Sequence, residues 1–257
     1  MIYLLAIAAG ILAGIINTLA GSGSLVTLPM LIFLGLPANV ANGTNRVGVI
    51  FQNIVGIATF RRHGSLDVGG GVWYVIPAVL GAIVGARIAV DINEQMMNYV
   101  IGAVMVIMLF VILLDPKKWL RDQSEVQPGR PGFLTLALFF VIGIYGGFIQ
   151  AGVGIFLLAG LVLGAGYNLA GANALKLVIV LALSLSAIAV FILNDQVAWG
   201  LGLLMAVGQS IGAWLAARFA ATNPNANVWV RRLLIAIILF SIVKLFGIWD
   251  WAMGMLF

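Results

Sequence analysis

The sequence contains no cysteine and a single histidine, His63. Without thiols there is no disulfide framework, thiolate metal site or cysteine nucleophile, and one imidazole cannot build a histidine metal cluster. Charge is scarce as well: 8% of the 257 residues are Asp, Glu, Lys or Arg, against 63% hydrophobic residues. So few charges cannot keep a soluble surface wet, which makes the chain an integral membrane protein with the lipid bilayer as its first partner. The acids are the most telling shortage. All eight (Asp67, Asp91, Glu94, Asp115, Asp122, Glu125, Asp195 and Asp250) fall in or beside loops. No buried carboxylate is left for acid–base catalysis, a cation site or a conventional proton relay, which argues against an intramembrane protease or a metal-dependent enzyme; no cofactor is expected. The net charge of +5 is not a nucleic-acid signature, because the apolar runs confine most charges to short loops.

What the chain has in abundance is apolar length. A hydrocarbon core of about 30 Å takes about 20 apolar helical residues, and on that ruler each half of the chain holds five apolar pieces. The first five are residues 2–20, 25–36, 47–60, 68–89 and 97–114; the second five are 133–149, 155–166, 175–193, 197–220 and 228–246. Between them, residues 115–131 carry seven charges and three prolines. The predicted organisation is a first transmembrane repeat over 1–114, a charged cytoplasmic linker over 115–131 and a second repeat over 132–257. The first apolar piece has no basic n-region and leads straight into the repeat, so it is read as a mature helix rather than a signal peptide.

The repeat is visible when the chain is slid against itself by 131 positions. Ala20, Gly21 and Gly23 fall on Ala151, Gly152 and Gly154, Gly35 on Gly166, Ala41 and Asn42 on Ala172 and Asn173, and Ala86 and Arg87 on Ala217 and Arg218; 18 of the 70 positions from Ala20 to Ala89 are identical. Basic residues then vote on orientation, since cytoplasmic loops collect Lys and Arg. If each unit crosses an odd number of times, Arg61, Arg62, Lys117, Lys118, Arg121, Arg130, Lys176, Arg218, Arg231 and Arg232 share one side and only Arg46, Arg87 and Lys244 the other. An even number of crossings splits them 7 against 6. The bias predicts an all-α polytopic protein of two inverted-topology repeats with broken or re-entrant helices, both termini outside. Segments 25–36 and 47–60 are short for a crossing; either both cross under strain or they form a re-entrant hairpin with Asn39 to Arg46 at its tip. The hairpin is preferred.

Two constellations could carry chemistry. The glycine-rich stretches Gly21-Ser22-Gly23-Ser24 and Gln150-Ala151-Gly152-Val153-Gly154 interrupt apolar segments where unpaired backbone is costly, so they must be buried in protein or line a wet cavity. Glycine lets a helix stop and restart, and the restarted helix offers N–H groups and a positive dipole end to an anion. Small residues also permit close helix packing, the competing explanation. The second constellation is Asn42, Thr44, Asn45 and Arg46, matched by Asn173 and Lys176. Amides and a hydroxyl beside a guanidinium suit an oxyanion, although such residues are also common in loops and Arg46 could snorkel to headgroups. Polar residues within the long helices, such as Asn17, Gln52, Asn53, Ser184 and Gln209, read as interhelical glue.

The run Ala20 to Ser24, Pro29, Gly35-Leu36-Pro37 and Ala41 to Asn45, repeated more loosely after Gln150, resembles the sulfite exporter TauE/SafE family of membrane transporters. The resemblance covers nearly the whole chain and implies a permease of duplicated architecture, in the bacterial cytoplasmic membrane, for small sulfur-containing anions such as sulfite or organosulfonates such as sulfoacetate. On this reading Arg46 and Lys176 offset the solute's charge, Asn42, Asn45 and Asn173 donate hydrogen bonds, and the breaks contribute backbone N–H groups. An anion channel and a non-transporting membrane assembly subunit are the alternatives, and a homodimer is allowed.

Overall fold

The computed structural model describes residues 2–62, 71–114, 131–220 and 226–246. The linker expected at 115–131 lies outside the described residues except for Pro131, as does His63. Every regular element among the described residues is a helix. The first half holds α1 (Ile2–Ala20), α2 (Ser24–Phe33), α3 (Ala38–Arg62), α4 (Val72–Asp91) and α5 (Glu94–Leu113). The second holds α6 (Phe133–Phe148), α7 (Val153–Ala159) continued by a π-helical turn (Gly160–Gly164), α8 (Leu169–Leu193), α9 (Trp199–Ala220) and α10 (Ala226–Leu245). Four helices, Val72–Asp91, Glu94–Leu113, Gly171–Leu193 and Trp199–Ala216, are long and apolar enough to cross a membrane.

The preferred hairpin at Asn39 to Arg46 is not there. Those residues are the opening turns of α3, one continuous helix of 25 residues, about 37 Å long. Asn, Gly and Thr are poor helix formers, which is why the segment reads as a tip. Tertiary structure overrides the propensity, because residues 41–50 are buried without exception and their polar groups are met by other helices. The re-entrant turn sits one segment earlier. Gly23 lies against Ala13 and Asn17 while Leu31 shares a cluster with Ala9, so α2 runs back along α1 and the tip is the glycine break.

Neighbour pairs fix the directions of the long helices. Gly14 meets Gln209 and Gly10 meets Met205, so α1 and α9 are parallel; Thr44 bonds Ala198 and Gly48 meets Gln209, so α3 joins them. The symmetry-related trio, α4, α6 and α8, is likewise parallel, with Gly143 on Ala78 and Gly147 on Ala82 and Tyr74 edge-on to Tyr167. Between the trios, Gly43 meets Phe191 and Gly56 meets Leu177, which makes α3 and α8 antiparallel. Equivalent helices of the two halves therefore run in opposite directions, the inverted arrangement expected from the charge split.

Within each trio the contact is made by glycines four apart. Gly10 and Gly14 of α1 face Gly208 and Gly212 of α9, and Gly81 and Gly85 of α4 face Gly143 and Gly147 of α6. A β-carbon on Gly85 would stand 1.9 Å from the Ile144 carbonyl oxygen, and one on Gly212 2.1 Å from that of Ile11. Backbones this close are the small-xxx-small packing of membrane helices.

Candidate functional site

Gly21 and Gly152 hold φ of +73° and +74°, a left-handed conformation that costs other L-residues roughly 1–2 kcal/mol. Their repeat partners at the far ends of the short helices, Gly35 and Gly166, are left-handed too, at +95° and +74°. These are all the glycines with positive φ among the described residues. The duplicated unit thus keeps a short helix bounded at both ends by glycine.

The two breaks touch. A β-carbon on Gly154 would lie 2.6 Å from the Gly21 carbonyl oxygen, and one on Gly21 3.6 Å from the Gly154 carbonyl carbon and 3.5 Å from Lys176 Nζ. Backbone meets backbone here, one break from each half, with a lysine ammonium at the contact. Lys176 is 3% exposed and donates to Asn173 Oδ1 at 2.7 Å; both project from the second turn of α8 toward the end of α1.

Arg46 occupies the corresponding region of the other half. It is fully buried and donates to the Gly146 carbonyl at 3.0 Å and the Gly147 carbonyl at 2.5 Å, with its guanidinium carbon 4.8 Å from the centroid of the Phe191 ring. Asn42, one turn away, donates to the Phe148 carbonyl at 2.8 Å. These are the last carbonyls of α6, where the helix dipole is negative and backbone acceptors lack intrahelical donors. Each half's third helix therefore sends a cation to the terminus of the other half's first helix. The sequence offered snorkelling or an awaited anion as the alternatives for Arg46; the structure gives a third, a cross-repeat helix cap.

Asn45 goes elsewhere. Its amide donates to Ser24 Oγ at 3.1 Å and its carbonyl oxygen accepts from Thr27 Oγ1, which pins the first turn of α2 to α3. Asn17 Oδ1 accepts from the Gly23 N–H at 3.3 Å. Thr44 Oγ1 accepts the Ala198 N–H at 2.8 Å ahead of α9, away from the breaks. Gln150 donates to Ser184 Oγ at 2.6 Å. Of the residues singled out in the sequence, Gly21, Gly154, Asn173 and Lys176 meet where the two breaks touch; Ser24 and Asn45 tie α2 to α3; Asn42 and Arg46 meet at the end of α6. Gly21, Ser22, Gly23, Ser24, Gln150, Gly152 and Gly154 are all buried.

Several buried polar atoms keep unused capacity, among them Asn42 Oδ1, Arg46 Nε, Gln52 Oε1, Asn53 Oδ1, Gln150 Oε1 and Gln209 Nε2. Such groups ask for water or solute. Among the described residues no group of acids or histidines could hold a metal ion. Neutral donors and positive charge at the crossing favour an anion electrostatically.

The sequence profile described as "Sulfite exporter TauE/SafE" matches residues 6–245. The chain belongs to that family. Relatives agree on the class: it is 26% identical over 237 residues, 92% of this chain and 89% of the other, to a probable membrane transporter protein, ORF9, of Sinorhizobium sp. A probable membrane transporter protein of Haemophilus influenzae is 28% identical over 226 residues, 85% of each chain. Another of Escherichia coli K12, YfcA, is 28% identical over 213 residues, 82% of this chain and 78% of the other. The TauE/SafE family is one of membrane transporters, and the helical architecture is that of a multi-pass membrane protein.

Sequence reasoning missed two features of the site. The glycine pairs that hold α1 to α9 and α4 to α6 were legible as Gly-x-x-x-Gly spacing on both sides of each contact. The α6 carbonyls that receive Arg46 had no sequence signal, because any helix end offers them.

Proposed function

We propose that the chain moves small sulfur-containing anions, such as sulfite or an organosulfonate like sulfoacetate, outward across the bacterial cytoplasmic membrane. The observation that carries this reading is the contact of the two glycine breaks beside Lys176, a point where backbone of both halves and an ammonium come together. Asn173 would orient Lys176 and donate to a bound oxyanion, the first-break residues Ser22 and Ser24 would add hydroxyls, and Arg46 would contribute positive potential from its seat on α6. The basic bias of the Arg61 end supports a cytoplasmic position for that end, with both termini outside. Export of a dianion from a negative interior is then downhill by about 4.6 kcal/mol per 100 mV.

Reconstituted protein should show saturable uptake of sulfite, accelerated by sulfite or sulfoacetate on the opposite side. Non-saturating flux without counterflow would turn the reading toward a channel. Absence of flux together with no stabilisation by sulfite, thiosulfate, sulfate or sulfoacetate in thermal unfolding would favour an assembly subunit, since a ligand of the native state must stabilise it.

A further inference from the structure

Among the described residues burial is distributed unevenly between the two repeats, and the unevenness follows Arg46. Along the antiparallel pair α3 and α8, the half nearer Arg61 is loose. A cavity of about 30 Å³ is lined there by Thr18, Gln52, Gly56, Thr59, Asn173 and Leu177, and a wider groove of about 480 Å³ runs past Ile54, Ala58, Arg61 and Leu181. Gln52 is 3% exposed, and its Oε1 has no partner at the cavity wall.

Repeat symmetry carries these lining positions to Gly147, since the first helices match at an offset of 129 (Gly14 on Gln209 as Gly143 on Ala78), and to Leu183, Ala187, Val190, Asn42 and Arg46. Thr18, Gly56, Thr59 and Asn173 are half-buried, whereas their counterparts Gly147, Ala187, Val190 and Asn42 are buried. Leu177 borders empty space; Arg46, in its place, is fully buried, bonded to Gly146 and Gly147 and laid over Phe191. The same end is closed further by the Gln196 side chain donating to the Val90 carbonyl at 3.1 Å and by Gly43, where a β-carbon would stand 2.1 Å from the Gln196 carbonyl oxygen.

We propose that the cavity at Gln52 and Asn173 is one of two symmetry-related access paths, standing open, and that Arg46 is the latch that holds the other shut. This inference rests on the transporter reading above and adds to it the residue that controls the far path. The chemistry of release follows from the partners. Carbonyls are neutral acceptors, whereas an oxyanion offers charged ones, whose hydrogen bonds are about twice as strong. A solute reaching Arg46 from the Lys176 side exchanges for the Gly146 and Gly147 carbonyls, and that exchange frees the end of α6 from α3. Opening is then coupled to occupancy, because the extra interaction exists only with solute present.

The chain has no native cysteine, so single cysteines report access directly. Thr59→Cys, Val190→Cys and the core control Met105→Cys are each reconstituted and exposed to a membrane-impermeant maleimide on both faces, without solute. Thr59→Cys should react about tenfold faster than Val190→Cys. Adding Arg46→Gln should raise the Val190→Cys rate about tenfold, the shift expected from losing a charge-assisted hydrogen bond. Arg46→Lys, which keeps a charge but loses the planar fork that meets both carbonyls, should raise it less. Met105, 1% exposed, should stay protected throughout. Equal rates at Thr59 and Val190, no change on Arg46→Gln, or a rise at Met105 as large as at Val190 would each overturn the latch. If Arg46→Gln fails to fold, Phe191→Leu removes only the ring beneath the guanidinium and should give an intermediate rate at Val190; an unchanged rate counts against the proposal. Sulfite flux in the same vesicles separates the two readings. Asymmetric labelling released by Arg46→Gln, with no flux of any anion, defeats the transporter reading and leaves the latch standing, while flux with symmetric labelling does the reverse.

Discussion

Replacing Gly154 with alanine adds one methyl group where the two halves cross. Its β-carbon would sit 2.6 Å from the Gly21 carbonyl oxygen and 3.3 Å from both the Gly21 carbonyl carbon and Cα. All three are backbone atoms, so no side chain can rotate away, and the breaks must part by several tenths of an ångström. Overpacking of this kind costs about 1–3 kcal/mol, which in a chain of this length lowers the unfolding temperature by roughly 2–12 °C. Because the strain falls on the proposed solute position, initial rates of sulfite uptake should fall by more than the loss of folded protein explains. Gly200→Ala is the matched control, since nothing lies within 4 Å of its added β-carbon. Purified variants compared by thermal unfolding and by proteoliposome uptake give both readouts. Parental stability and parental uptake in Gly154→Ala would refute the argument that the breaks meet at a functional crossing.

Gly35→Ala separates conformation from crowding: no atom lies within 4 Å, yet φ is +95°, so a loss of roughly 1–2 kcal/mol in unfolding free energy is expected from backbone strain alone. Asn45→Leu should destabilise by about 1–3 kcal/mol by removing the bonds to Ser24 and Thr27, and combining it with Thr27→Val should cost less than the two changes added, a coupling that a double-mutant cycle measures. Lys176→Gln should raise the sulfite concentration needed for half-maximal uptake, with Lys176→Arg milder, because only the first removes the charge at the crossing. Cysteines at Arg61 and Asn194, both exposed, should be labelled from opposite faces; labelling from one face would contradict the inverted arrangement.

Much of this architecture is legible in the residues. Gly21 and Gly152 declare the breaks because glycine at a repeated position inside an apolar run is hard to explain otherwise, and both are left-handed. The basic residues expected to divide across the membrane lie toward opposite ends of the antiparallel trios, Arg61 at the end of α3 and Arg87 near the end of α4. The failure at Asn39 to Arg46 has a physical origin. Helix formation there is decided by burial against α2 and the distant α6, through bonds from Asn45 to Ser24 and from Asn42 and Arg46 to Phe148, Gly147 and Gly146. Local propensity contains none of these. The register of the first helices was also invisible: Gly14 and Gly143 make equivalent contacts, to Gln209 and Ala78, although 129 rather than 131 positions separate them, because two more residues lie between Gly143 and Gly152 than between Gly14 and Gly21.

The glycine contacts of α1 with α9 and of α4 with α6 also decide what can move as a body. Each joins the first helix of one half to the fourth helix of the other, with β-carbon positions as close as 1.9 Å to a facing carbonyl. Surfaces this tightly keyed cannot slide without collision, so the two sequence halves cannot rock against each other as separate blocks. The mechanical units cut across the duplication: α1, α3 and α9 form one, and α4, α6 and α8 the other. The seam between them runs along α3 and α8, where Leu177 meets Gly56 at one end and Arg46 lies over Phe191 at the other. Gene duplication supplied two copies of a unit, but the working parts of the machine are assembled from pieces of both.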